Sequence, residues 1–272
     1  MRHKGTAAAI GCLALALSAG MVLAQDEQEP GGEAERVDTA EQVKATEEAA
    51  EEKTSWMPGG FSGNIAYVTD YSFRGVSQTQ RDMAVQGGID WNHDSGVFLG
   101  GWASPVDFGG AYLESDFYGG YQGALDEFSY KVSSTYFYYP GADQFSYWEF
   151  GLFTGYNFDV ASVSAGVIGS PDYFGLLGTG WYIPVGFAVP IGTVKCPFEG
   201  AENCFDLSFD ANGGYTHTEE NIFADQHYFD WNMGLVATLP FNLKLDFRYV
   251  DTDVKNVHDA GARFVFAAKY AF

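Results

Sequence analysis

Two groups of residues in this chain have the types and spacing to do chemistry. The first is a set of charged side chains: Asp70, Asp90, Glu114, Asp116, Glu149, Asp210, Asp230 and Asp246, answered by Arg74, Lys131, Lys244, Arg248, Arg263 and Lys269. Carboxylates can trade protons and arginines can clamp anions, but covalent catalysis needs a nucleophile with a base and an orienting group. After the first 24 residues the histidines are His93, His217, His227 and His258, each in an expected turn or at a strand end, and no G-x-S-x-G occurs. No enzyme is expected. Charged residues that pair across strands, or stay hydrated, are also what the inside of a barrel requires. On that reading Asp70, Arg74, Asp90, Glu114, Asp116, Lys131, Glu149, Asp210, Asp230, Asp246, Arg248 and Arg263 are pore-lining candidates.

The second group is HTEENIFADQH, His217 to His227, where two histidines meet Glu219, Glu220 and Asp225. It could take a divalent cation, including one that bridges lipopolysaccharide, although a solvated acidic loop explains it more simply. Cys196 and Cys204 stand eight apart in CPFEGAENC, which suits a disulfide in an oxidising compartment and, with no histidine nearby, suits zinc poorly. No cofactor motif is present. In YSFRGVSQTQRD, Arg74 and Arg81 bracket a turn and are expected to bind loop carbonyls and acidic neighbours at the mouth of a pore.

The elements that must position these residues are strands. Phe 23, Tyr 17 and Gly 34, with 9 Pro and 18% charged residues, disfavour long soluble helices. In FSGNIAYVTDYSFR, Phe61, Ile65, Tyr67, Tyr71 and Phe73 fall on one parity, while Ser62, Asn64, Asp70, Ser72 and Arg74 fall on the other. Period two marks a strand with one apolar face, here expected to meet lipid, and one polar face. The pattern repeats near 61–74, 82–92, 96–104, 112–122, 127–139, 146–157, 160–169, 176–190, 205–216, 227–239, 242–252 and 261–272, with compact turns such as 92–96, 157–159 and 240–242 between several pairs.

Segments of this length fit a tilted bilayer crossing better than an ordinary globular strand. Aromatic residues at strand ends suggest interface belts: Tyr136, Tyr138 and Tyr139; Trp148 and Phe150; Phe241 and Phe247. The uncharged run from Tyr173 to Val194 is long enough for a membrane helix, but its glycines, Pro184 and Pro190 and the alternation of Trp181, Ile183, Val185, Phe187 and Val189 make it a strand, with a bulge or bend expected at Pro184. The fold class is all-β, an antiparallel up-and-down transmembrane β-barrel of about twelve strands.

Residues 1–24 have a basic start, an apolar middle and a small residue before the cut, which reads as a signal peptide; an uncleaved anchor is the rival. Residues 25–58 form an acidic periplasmic linker, disordered or transiently helical, since Gln25 to Ser55 carries 11 acidic and 3 basic residues and no aromatic. Residues 59–272 are the barrel. Its end, GARFVFAAKYAF, puts Phe264, Phe266, Tyr270 and Phe272 on one face, as in the signal read by the barrel assembly machinery. An even strand number leaves both termini in the periplasm, and the loops near 75–80, 105–111, 140–145, 170–175, 217–226 and 253–260 then face outward. The connection bearing the cysteines is periplasmic and unusually long for that side. Outer-membrane lipid and lipopolysaccharide, the assembly machinery and a second copy of the chain are the partners expected in a Gram-negative outer membrane. The net charge of −22 opposes nucleic acid.

The run Asn64 to Ser104 resembles the TorF family, a conserved hypothetical family of outer-membrane barrels assigned as porins. The resemblance rests on Tyr71, Phe73-Arg74-Gly75 and Ser77-Gln78, on Ala84 to Gly88, on Gly96 and on Gly100 to Ser104. Later echoes are Tyr139-Pro140-Gly141, Glu149, Ser170-Asp172-Tyr173-Phe174 and Tyr228-Asp230-Trp231. It implies a pore and no catalytic residue; the segment 195–204 and the acidic linker depart from its pattern. Residues 56–272 hold 25 acidic and 9 basic residues, a net of −16, so a narrow passive channel for ions or small solutes would weakly prefer cations. A closed structural or adhesin-type barrel with a periplasmic tether is the alternative.

Overall fold

The computed structural model describes residues 59–196 and 203–272; the expected leader 1–24 and acidic linker 25–58 lie outside the described residues. Fourteen strands follow in chain order: β1 (Gly60–Val68), β2 (Ser72–Phe73), β3 (Val76–Ser77), β4 (Ala84–Asn92), β5 (Val97–Phe108), β6 (Ala111–Leu125), β7 (Phe128–Tyr138), β8 (Tyr147–Phe158), β9 (Ala161–Ser170), β10 (Gly180–Lys195), β11 (Asn203–Thr218), β12 (His227–Leu239), β13 (Leu243–Thr252) and β14 (Arg263–Ala271). Twelve of them, β1 and β4 to β14, close into one antiparallel barrel in sequence order, with β14 paired back onto β1. The remaining two, β2 and β3, form a ribbon of their own.

Alternation builds the wall. Ile65, Val85, Leu99, Phe117, Leu235 and Phe247 are exposed on the outer face, while their chain neighbours Asn64, Ala66, Gln86, Asp116 and Arg248 are buried inside. An apolar outside around a polar inside is the arrangement a bilayer selects, because closure leaves no strand edge unpaired in hydrocarbon. No helix among the described residues is long and apolar enough to cross a membrane.

The two ends differ. Beside the termini lie turns such as 93–96, 126–127, 159–160 and 240–242; at the other end the loops 69–83, 139–146, 171–179, 219–226 and 253–262 alternate with the tight turn 109–110. Cys196 and Cys204 are joined by a disulfide across the short-turn end, at the tips of β10 and β11.

Three expectations need correction. The first strand was expected to run to Arg74, but it leaves the wall at Val68, and Tyr71 and Phe73 are buried inside the barrel instead of facing lipid. Their parity continued the pattern because the β2–β3 ribbon is also extended backbone. Tyr139, expected in an interface belt, is likewise buried within. Pro184 makes no bulge. Tyr182↔Ile168 and Val185↔Ala165 keep one register on the β9 side, with Ile183 and Pro184 unpaired between them, and Pro184 still aligns with Gly214 on β11. Its missing N–H is tolerated as a local gap in one ladder, and the register shifts instead between Pro190 and Gly192.

The core lies at the loop end, inside the barrel. Phe73 and Val76 from the ribbon, Phe108 from β5, Phe137 from β7, Tyr147 from β8 and Tyr228 from β12 join Phe145, Phe174 and Ile222 from the loops. Phe145 stacks on Phe174 at 4.7 Å and Phe137 on Tyr147 at 4.6 Å, separations at which offset aromatic pairs add to burial.

Candidate functional site

The segment 69–83 folds into the lumen as a plug. At its tip Phe73 pairs with Val76, so Arg74 and Gly75 are the central pair of a two-residue hairpin, and both have positive φ, 44° and 82°. Such turns favour Asn-Gly, because a left-handed conformation costs a side chain with a Cβ about 1–2 kcal/mol. Arginine at that place is explained by what its side chain reaches. Gly75 is required on a second count: a Cβ there would stand 2.4 Å from Thr252 Cγ2 and 2.8 Å from Asp230 Cβ, so the tip touches the wall.

Arg74 is 1% exposed. Its Nη2 donates to Glu149 Oε1 and Oε2 at 2.7 and 2.8 Å, and its Nη1 donates to the Tyr173 hydroxyl. The guanidinium carbon lies 4.2 Å from the ring centre of Tyr182, 4.8 Å from Phe73 and 5.3 Å from Tyr173, a cage of three aromatic faces. Burial works against the cation, but Glu149 and the surrounding phenols outweigh it and hold the Arg74 pKa above its ordinary value. Tyr182 can lie flat here because it crosses Gly214 on β11, where a Cβ would strike its ring at 2.2 Å.

Around this pair stand three more buried carboxylates. Glu114 on β6 accepts from the Tyr71 hydroxyl at 2.5 Å and the Tyr139 hydroxyl at 2.6 Å. Burial pushes the pKa values of Tyr71, Tyr139 and Tyr173 up, which keeps each phenol protonated and able to donate. Asp230 on β12 accepts from the Tyr182 hydroxyl at 3.2 Å through Oδ1, while its Oδ2 has no hydrogen-bond partner. Asp116, two residues along from Glu114, has an Oδ1 with no partner.

A second network anchors the plug at its base. Asp70 accepts from Ser77 at 2.5 Å, from Thr79 at 3.2 Å and from Arg263 Nε on β14. Arg263 also donates to the Gly75 carbonyl at 2.9 Å and to Ser72 Oγ at 2.8 Å, so one wall arginine holds both the first arm of the ribbon and its turn. Arg81 was expected to bind loop carbonyls, and its Nη2 donates to those of His258 and Gly261. Arg74 was expected beside it, binding loop carbonyls and acidic neighbours at the mouth; it does pair with an acid, Glu149, but is buried inside the barrel at the loop end because the plug tip points inward.

The pore-lining candidates therefore separate by depth. Asp70, Arg74, Glu114, Asp116, Glu149, Asp230 and Arg263 gather around the plug, whereas Asp90, Lys131, Asp210, Asp246 and Arg248 lie nearer the short-turn end. There Asp90 accepts from Tyr118 at 2.6 Å, Asp210 from Ser208 at 3.3 Å, and Arg248 donates to Asp246 Oδ1 at 3.0 Å and to Asn232 at 2.8 Å. Lys131 Nζ is 5.0 Å from the centre of the Phe98 ring. Phe264, Tyr270 and Phe272 are exposed on the outer face, with Phe266 half-buried. In the acidic loop, Glu219 Oε2 accepts from Thr179 N at 3.1 Å, and among the described residues no group of three His, Cys, Asp or Glu could hold a metal.

Sequence reasoning missed the aromatic cage. Tyr147 and Tyr182 read as ordinary strand aromatics, and Tyr173 and Tyr228 only as echoes of the family resemblance; the signal for Tyr182 was its place on the inner parity of β10, between Trp181 and Ile183, which are exposed.

Among solved structures, the NanC porin in its rhombohedral crystal form is similar with a TM-score of 0.50 at 8% identity, over 78% of this chain and 99% of that chain. The KdgM porin gives 0.49 at 10% identity over the same shares, and LpxR from Salmonella typhimurium gives 0.41 at 8%, again over 78% and 99%. At such identities the likeness is one of fold. No curated protein matches the chain. A family model described as a bacterial protein of unknown function (Gcw_chp) matches residues 51–272.

Proposed function

The chain belongs to the Gcw_chp family, and for this member we propose an outer-membrane channel of porin type. It passes ions or small solutes, and segment 69–83 sets its narrowest point. The observation that supports this most is where the obstruction is mounted. The wall is a closed barrel with a charged lining, and the segment that enters it at the loop end, packing against aromatics of the wall and of other loops, is carried on a connection between strands. A loop can move without breaking a ladder, so such a lumen can be opened.

The lining sets the preference. Of the charged residues named above, seven acids and five bases lie on the wall strands, so a hydrated path has an excess of fixed negative charge and favours cations weakly over anions. The finer resemblance to the TorF family supports a pore and carries no ion preference. Residues 25–58 would hang in the periplasm, with lipid and lipopolysaccharide around the barrel.

Planar-bilayer recording of the full mature chain tests this. The intact protein is expected to show small or infrequent steps, and a variant with 71–80 replaced by a short glycine linker is expected to show large, sustained ones. Silence from both, in protein that resists SDS until boiled, would end the channel reading. A closed structural barrel would then stand, a reading favoured by the complete burial of Val76 and Gln78 in the plug.

A further inference from the structure

We infer that the lumen contains a binding site for a guanidinium-bearing solute, and that Arg74 occupies this site as a tethered ligand. The inference rests on the channel reading, since a solute must reach the lumen to use the site.

Most of the site belongs to the wall. Glu149 comes from β8, Tyr182 from β10 and Asp230 from β12, all within the first few residues of their strands at the loop end. Only Phe73 and the guanidinium itself come from the plug, and Tyr173 from the neighbouring loop. If the plug is withdrawn, a buried carboxylate and a flat aromatic face remain, positioned for a planar cation. A buried carboxylate stripped of its partner is costly, so a cation of the same chemistry that enters the site relieves that cost.

The site also has an acceptor that Arg74 does not satisfy. Asp230 Oδ2 is without a hydrogen-bond partner in a side chain that is 3% exposed. Arg74 approaches with its Nη2 chelated by both Glu149 oxygens, and its Nε has no partner. A free guanidinium is not constrained by a backbone in the left-handed region and can turn a donor toward this Asp230 oxygen. Planarity and multiple donors favour guanidinium over a compact ammonium, which offers neither a stacking face nor a fork. As Arg74 is tethered, its effective concentration is on the order of millimolar or more, and a solute must compete with it.

The test measures binding, not current. The full chain and its Arg74→Asn variant, folded in detergent, are titrated with methylguanidinium, with tetramethylammonium and sodium as comparators, and the temperature of SDS-gel unfolding is followed. Asn suits the left-handed turn, so the variant keeps the hairpin and vacates the cage; Arg74→Gln, which retains much of the stem, replaces it if it fails to fold. Methylguanidinium is expected to raise the unfolding temperature of the variant saturably, with an apparent affinity at least about ten-fold tighter than in the native chain. Adding Glu149→Gln to the variant is expected to abolish the response. Equal responses in native chain and variant, equal effects of all three cations, or a response that survives Glu149→Gln would each overturn the site. A chain that binds but never conducts keeps the site and loses the channel; one that conducts without binding does the reverse.

Discussion

At the scale of single residues, the Arg74–Glu149 pair should dominate the response to mutation. Removing one member of a buried ion pair leaves the other charged and unsatisfied, so Glu149→Ala is expected to cost about 3–5 kcal/mol in urea-induced unfolding from lipid vesicles. Arg74→Asn is expected to cost less than Arg74→Ala, since asparagine accepts the left-handed turn that alanine does not. Gly75→Ala should act differently, pushing the tip away from Thr252 and Asp230, and is expected to raise conductance more than it lowers stability. Parity alone placed Glu149 and Asp230 on the inner face of the wall, where both are buried, whereas Arg74 lies beyond the end of the strand to which parity assigned it. The meeting of the three was not legible: it joins positions 75 residues apart and more, through a turn whose direction parity does not encode.

At the scale of elements, the number and order of wall strands could be read directly, because alternation over nine or more residues leaves little room for another reading. The failures fell where extended backbone is not wall. Tyr71 and Phe73 keep the apolar parity of β1 yet belong to the inward ribbon, and an aromatic in a plug has the same composition signature as one in lipid. What holds the ribbon is a polar anchor on β14. Arg263→Met is expected to free the plug base while leaving the wall intact, seen as faster hydrogen exchange over 70–82 with unchanged exchange in β5 to β13. The Cys196–Cys204 bridge closes a short loop at the opposite end, and its reduction is expected to cost about 2–3 kcal/mol with no change in plug exchange.

At the scale of the whole molecule, inside and outside obey opposite rules, and a matched pair of substitutions reads them. Met233 is exposed midway along β12, and Met233→Arg is expected to cost about 2–4 kcal/mol of folding stability in vesicles if it faces the bilayer midplane. Asn232→Arg, one residue away on the lumen side, should instead change conduction through repulsion of Arg248, to which Asn232 now offers its oxygen. Of the residues behind the family resemblance, Phe73-Arg74-Gly75, Glu149, Tyr173 and Tyr228-Asp230 scatter along the sequence and converge on one level of the lumen, whereas Gly96 lies in a turn at the other end. They lie far apart in the chain because a ring of strands brings each to that level from a different direction.

The plug anchor also bears on how the cylinder stays shut sideways. The β1–β14 seam, where the ends of the chain meet, is the shortest ladder in the wall, from Asn64↔Ala271 to Val68↔Ala267. Just beyond it Thr69 N donates to the Phe266 carbonyl at 2.9 Å, and Phe266 N donates back to Thr69 Oγ1 at 2.9 Å. Next comes the Asp70–Arg263 pair, which links the second residue after β1 to the first residue of β14. The bond that holds the stopper is thus also a clasp on the zip, and a force that pulls the stopper free loosens the one joint through which the lumen could open toward lipid.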